Sequence, residues 1–382
     1  MNEWKDFNIK NLVISKQLFA YWFVLVLGLI AIAAKYKYNG LVFGFDYGIY
    51  QQDGKYYTYM TLDFINNDPK QSAQSVINWY ASHSYKGNIF QISDLISKES
   101  QVYQLTYHRV LYSFLSVPFV YLFGIPGMIV VPAISFLCLL LLVQKISNNY
   151  NLVYVGVCIC IILSTSPTVI RWMIWNGTDA LLAGLFSYVA LLLYNLHIKP
   201  DQKIFQLFLL IFLTTATRFS LFFWVAIAII IYFKQKKFLA LMIILMSSLC
   251  SLPALFSSLG ISILPAEENQ TILEKISKIP LSFIKVVSID IAQLAVLDRL
   301  FLIYLVVGLF ISLRYLKNVA SQYFIAVLLA GYLLGAINGI LGVNFRYQMP
   351  AIPFCAWSIL ASWPLIQNWL KTYSFLRPHI KV

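Results

Sequence analysis

The sequence predicts an all-α polytopic membrane protein of about ten transmembrane helices with a helical first outer loop, on three observations. Hydrophobic residues make up 60% of the 382 positions and charged residues only 11%, with a mean hydropathy of +0.74; a soluble domain carries roughly 25% charged residues. The apolar residues fall in runs of about 17 to 22 between short polar breaks, the length a helix needs to cross roughly 30 Å of hydrocarbon. Long segments of alternating polarity are absent, which argues against a membrane barrel.

Composition narrows the function classes as well. The net charge of +13 comes from basic residues scattered singly or in pairs between apolar runs. No basic domain forms, so nucleic acid is not an expected partner. Cys138, Cys158, Cys160, Cys250 and Cys355 all lie inside apolar runs, where cysteine behaves as a small apolar side chain; neither a disulfide framework nor a metal knuckle is implied. The chain reads as one integral membrane domain over residues 1–382.

In chain order, the first span covers residues 18–34 and follows Lys5, Lys10 and Lys16. Its apolar run exceeds most signal-peptide cores, so it reads as retained despite the cleavage-like Ala31-Ile32-Ala33. A polar stretch of about residues 35–124 follows, with helix-compatible segments near 56–66 and 72–80. Spans come next near 125–144, 152–169, 180–196, 204–217, 219–233 and 238–256. Those at 204–217 and 219–233 are short and joined at Arg218, so whether both cross fully is open. A second stretch, about 256–299, holds EENQTILEKISKIPLSFIKVV, whose Ile272, Leu273, Ile276 and Ile279 recur at helical spacing beside Glu274, Lys275 and Lys278. That is the pattern of a helix lying in the membrane interface. Spans near 300–316, 319–337 and 348–366 complete the set.

One segment decides the topology: YHRVLYSFLSVPFVYLFG, residues 107–124. If it crossed, the lysines at 145, 199, 203, 234, 236 and 237 would all face outward, against the positive-inside rule. Left on the outer surface, it places both termini and 14 of the 28 Lys and Arg in the cytoplasm, with only three of the 15 acids. The expected location is the cytoplasmic (inner) membrane, multi-pass.

With sides assigned, the unusual polar residues collect on the outer face: Asp53, Arg109, Arg171, Asp179, Arg218 and Arg346. Ionisable residues at membrane depth are costly and face a cavity or a partner. A single arginine at a span end reads as an anchor to lipid headgroups. Four of them in outer positions, with two acids among them, point instead to an anionic ligand, and a phosphate-bearing lipid entering from the bilayer fits planar guanidinium groups that bind oxygens in pairs.

Five stretches carry a resemblance. DGKYYTYM after the first span is similar to the first-loop acidic motif of the GT-C superfamily of polytopic, polyprenyl-phosphate-sugar-dependent glycosyltransferases. YHRVLYSFLSVPFVYLFG resembles the membrane-hugging helix that closes that loop, and SPTVIRWMIWNGTDALLAGLF the second outer loop, with a Thr-Asp pair before the next span. ATRFSLFF and NFRYQMPAIPF resemble the later Thr-Arg and Arg-Tyr-x-x-Pro-x-x-Pro elements.

The resemblance implies a GT-C-like architecture and transfer of a sugar from a polyprenyl-phosphate-linked donor to an acceptor hydroxyl of a glycan, lipid or protein, in cell-envelope polysaccharide biosynthesis. Such a donor already has a weakly basic leaving group, so it needs charge stabilisation and one carboxylate, where a glycosidase needs two carboxyl groups. Asp53 is the expected base, with Asp46 as the rival and helix N-capping before residues 55–66 as a compatible second role. Arg109, Arg171, Asp179, Arg218, Arg346, Tyr347, His108 and Tyr57 are the expected substrate-binding residues. A divalent metal, Mg or Mn, stays open, with Asp53 and Asp179 as its candidate ligands. Trp172 and Trp175 read as interface anchors. A lipid-linked glycan polymerase or O-antigen ligase is the nearest alternative; a lipid or solute transporter or flippase, which predicts mid-span charges and repeats, is the alternative of another class.

Overall fold

The computed structural model describes residues 2–42, 54–82, 95–96, 109–175, 177–198, 204–234, 236–258, 272–337 and 345–374. Among them the chain is helical, without a strand. The helices are α1 (Asn2–Val42), α2 (Gly54–Asn66), α3 (Pro69–Ser82), α4 (Val110–Phe123), α5 (Val130–Asn149), α6 (Val153–Thr165), α7 (Pro167–Met173) and α8 (Asp179–Ile198). They continue as α9 (Ile204–Thr217), α10 (Leu221–Phe233), α11 (Lys237–Ser258), α12 (Ile272–Leu297), α13 (Arg299–Arg314), α14 (Val319–Ile337) and α15 (Ile352–Ser374).

Helix directions follow from which ends meet. At one end, Asp179 opens α8 beside Arg218, which follows α9, and Asp298, which precedes α13, binds Ser166, which follows α6. At the other end, Trp357 donates to the Tyr150 hydroxyl at 3.1 Å, Tyr150 packs 5.3 Å from Tyr194, and His197 feels the charges of Lys236 and Lys234. Helices α6, α9 and α14 therefore run toward the Asp179 end, while α5, α8, α10, α13 and α15 run away from it. In α1, Tyr21 bonds to Asn148 at the far end and Lys35 feels Arg171 at the Asp179 end.

Among the described residues, six helices can cross a membrane by length and composition, at Ser15–Lys37, Ile125–Asn149, Asp179–His197, Ser277–Leu297, Val319–Ile337 and Met349–Asn368. A bent pair, α6 with α7, makes a seventh. This differs from the ten expected. Helices α9 and α10 have 14 and 13 residues, which at 1.5 Å per residue is about 20 Å, short of roughly 30 Å of hydrocarbon. Residues 277–297, expected in the second outer stretch and in part in its interface helix, are long and apolar enough to span. Yet α12 lies at the periphery, with Leu281, Ile284 and Ile291 exposed, and it ends at Asp298, on the Asp179 side.

Two local devices shape that side. The 74° bend between α6 and α7 comes from Ser166-Pro167: proline holds the preceding residue extended, and the Ser166 hydroxyl caps the new helix by accepting from the Val169 amide at 3.0 Å. Asp298, 4% exposed, ties this bend to α13: it accepts from the Ser166 hydroxyl and the Thr168 amide with Oδ2, and from the Phe301 amide with Oδ1. Between α4 and α5 the chain reverses through Gly124, at φ +67°, and Gly127, where a Cβ would sit 2.2 Å from the Phe119 carbonyl oxygen. Helix α4 is thus folded back against the turn and does not continue into α5.

The larger apolar core gathers Phe186, Phe223, Trp224, Tyr323 and Phe354, all nearly or fully buried. Far from the Asp179 end, Ser312, Ser358 and Ser321 join α13, α15 and α14 by hydroxyl bonds of 2.7 and 2.9 Å, the kind of polar contact that holds helices together in lipid. The smaller core docks α2, α3 and α4 through Tyr57, Tyr80 and Tyr112, and includes Leu181 of α8.

Candidate functional site

Asp179 is 1% exposed and stands at the N-terminal end of α8, where a helix favours negative charge. Three N–H groups from different segments converge on its carboxylate. Arg346 Nε lies 3.2 Å from Oδ1 and 3.1 Å from Oδ2, Trp175 Nε1 donates to Oδ2 at 3.1 Å, and Arg218 Nη1 pairs with Oδ1. Both guanidinium groups are nearly dry, at 4% exposure for Arg218 and 7% for Arg346.

Aromatic faces complete the enclosure. The Arg218 guanidinium carbon lies 4.6 Å from the Tyr347 ring centre, and that of Arg346 lies 4.7 Å from Trp175 and 5.1 Å from Trp172. The two indoles meet edge to face at 5.6 Å. Such contacts strengthen when desolvated. Tryptophans read from sequence as interface anchors are therefore buried walls of a cation site, at 5% and 3% exposure. Their spacing of three residues before Gly177 and Asp179 was the available signal.

This geometry assigns Asp179 a job. Its two oxygens are occupied by N–H donors, so it orients two arginines and leaves little room for a divalent metal. Arg218 gives one N–H to Asp179 out of the five a guanidinium carries. Planar donors held in one orientation by a carboxylate and an aromatic face suit an oxyanion such as phosphate.

A second pair of expected residues also meets. Arg109, immediately before α4, donates from Nη1 to the Tyr57 hydroxyl at 3.0 Å. Tyr57 is fully buried and packs edge to face on Tyr112 at 5.3 Å, so it positions Arg109 and is not an open platform for a sugar ring. Leu181, two positions after Asp179, belongs to the same apolar cluster as Tyr57, which puts the arginine pair and the first-loop helices on one end of α8.

Arg171 is not in the enclosed group. It is exposed, with its guanidinium carbon 5.2 Å from the Trp172 ring. Asp53, Asp46 and His108 lie outside the described residues; α2 begins at the position after Asp53, with Gly54 buried. Sequence reasoning missed Asp290 and Asp298, both buried acids of or beside α12. An acid in SIDIAQLAV was itself a signal, since a carboxylate in an apolar helix is costly without a partner.

Comparison of the chain with protein-family models, with curated proteins and with solved structures gives no match.

Proposed function

We propose that the chain is a GT-C-type membrane glycosyltransferase that moves a sugar from a polyprenyl-phosphate donor to an acceptor hydroxyl on the outer face of the cytoplasmic membrane. One observation carries the reading: Arg218 and Arg346, expected from the sequence to hold an anion, share the Asp179 carboxylate in an aromatic enclosure at one end of the helices. Far-end residues Lys145, Lys234, Lys236, Lys237, Arg314 and Lys317 make that end the cytoplasmic one by the positive-inside rule, and both termini are cytoplasmic. Ten passes follow if α9, α10, α11 and α13 cross together with α1, α5, the bent pair, α8, α14 and α15, while α4 and α12 lie along the outer surface.

In the reaction, the bond between the sugar C1 and the donor phosphate oxygen breaks as a bond from C1 to the acceptor oxygen forms. The acceptor proton passes to the Asp53 carboxylate, a contribution of typically about 10² to 10⁴ in rate. The polyprenyl phosphate leaves as an anion, and Arg218 and Arg346 hold the charge that grows on it. Arg109, held by the Tyr57 hydroxyl at the same end of α8, serves the acceptor side.

Transfer of labelled sugar by the reconstituted full chain, across a panel of polyprenyl-phosphate sugars, tests this. Asp53→Asn should fold and bind donor but lose transfer, while Asp46→Asn keeps most of it. Transfer near wild type in Asp53→Asn, with Asp46→Asn inactive, moves the base upstream. A wild-type chain that binds no polyprenyl phosphate overturns the reading.

A further inference from the structure

The segment that delivers Arg346 begins with an uncommon backbone. Phe345 has φ +65°, the left-handed region in which a bulky side chain is a genuine outlier unless the surroundings hold it. Three groups hold this one. Asp290 of α12, 1% exposed, accepts from the Phe345 amide with Oδ1 at 3.3 Å. The Phe345 ring, 1% exposed, packs edge to face on Phe301 at 5.3 Å and on Tyr332 at 6.4 Å. Behind the turn runs α14, where a Cβ on Gly331 would meet the Tyr347 carbonyl oxygen at 2.8 Å and the Gln348 Cα at 3.1 Å.

The other Asp290 oxygen is buried with no hydrogen-bond partner among the described residues. A buried carboxylate with one oxygen unsatisfied is a costly group to keep for a single backbone bond. The bond it makes, however, falls on the residue that aims the next two side chains. Arg346 points from this turn to Asp179 and the two indoles, and Tyr347 lies under Arg218.

We infer that Asp290 is a positioning residue for the arginine site: its carboxylate fixes the left-handed turn at Phe345 and thereby sets where Arg346 and Tyr347 stand. Helix α12, exposed along Leu281, Ile284 and Ile291, is then joined to the site by this hydrogen bond as well as by the packing of Phe283 on Tyr332. The link to a lipid-phosphate ligand rests on the function proposed above; the link between Asp290 and the turn does not.

Two measurements on the full chain in detergent separate these. Hydrogen exchange of the peptide covering residues 345–350 should speed up in Asp290→Ala and stay near wild type in Asp290→Asn, which retains an acceptor oxygen. Farnesyl phosphate affinity should fall tenfold or more in Asp290→Ala, remain within about threefold in Asp290→Asn, and recover in part in Asp290→Ala/Phe345→Gly, because glycine adopts this φ unaided. Unchanged exchange in Asp290→Ala overturns the inference, as does loss of binding in Asp290→Asn equal to that in Asp290→Ala, which would assign the effect to charge. If wild type binds no farnesyl phosphate, the proposed function fails while the exchange result still decides the role of Asp290.

Discussion

Arg346 Nε sits 3.1 Å from one oxygen of Asp179 and 3.2 Å from the other, joining the turn before α15 to the start of α8 across 167 residues. Removing the shared carboxylate strands two buried cations, so Asp179→Ala should cost about 3–5 kcal/mol of stability, whereas Arg346→Ala leaves Asp179 paired with Arg218 and should cost less. A double-mutant cycle over Arg346→Ala and Asp179→Ala, read by unfolding, should return a coupling of roughly 0.5–3 kcal/mol. Zero coupling would show that the pair does not form. Arg171→Ala, at an exposed position, should change stability by no more than about 0.5 kcal/mol.

The arginines and Asp179 were legible in the sequence because each is an ionisable residue at the end of an apolar run. Their meeting on one carboxylate was not, since it depends on tertiary closure between α7, α8, α9 and the turn at Phe345. The same limit explains Arg171 and Arg346, which looked equivalent as outer arginines; only the fold puts one outside Trp172 and the other between two indoles. Tyr57, expected to bind substrate, packs inward on Tyr112, because hydropathy cannot rank tyrosines by which core they join. Helix positions were readable from apolar run length, whereas 13- and 14-residue helices made the number of crossings harder to read.

Asp298 joins two helix starts with one carboxylate. Ser166→Ala removes one cap and one of the two donors to Asp298 Oδ2, and should cost about 1–2 kcal/mol. Asp298→Ala should cost more, because the Thr168 and Phe301 amides lose their acceptor together and the α6–α7 bend loses its tie to α13. Comparing the two variants by thermal unfolding checks the order; a milder Asp298→Ala would mean that α13 starts without this cap.

Burial pushes the Asp63 carboxyl of α2 above its ordinary range, and the nearby charge of Asp68 adds in the same direction. A raised folded value means that the folded chain holds the proton more tightly than the unfolded chain, so this residue favours folding as pH falls and opposes it once ionised. Asp63→Asn should therefore be more stable than wild type at pH 7. The difference should shrink as pH drops through the raised folded value and vanish below the unfolded value of about 3.9. Unfolding followed at several pH values tests the sign, and an Asn variant less stable than wild type at pH 7 would reverse it.

Arg218 offers the most direct test of what the enclosure binds. Its guanidinium is 4% exposed, oriented by Asp179 and by Tyr347, and hydrogen bonds to a charged group contribute about 1.5–3 kcal/mol. Arg218→Ala should therefore weaken farnesyl phosphate binding by roughly 10- to 100-fold, while Arg218→Lys recovers only part because an ammonium lacks the planar fork. Farnesol, with the same chain and no phosphate, separates charge recognition from damage to the fold: its binding should be alike in wild type and variant. Salt adds a second axis. A phosphate held in a nearly dry site is weakly screened, so raising the ionic strength several-fold should change affinity little, whereas binding by exposed headgroup-type arginines should fall. Equal losses of farnesol and farnesyl phosphate in Arg218→Ala, or strong salt dependence in wild type, would move the anion away from the Asp179 enclosure and toward the exposed Arg171.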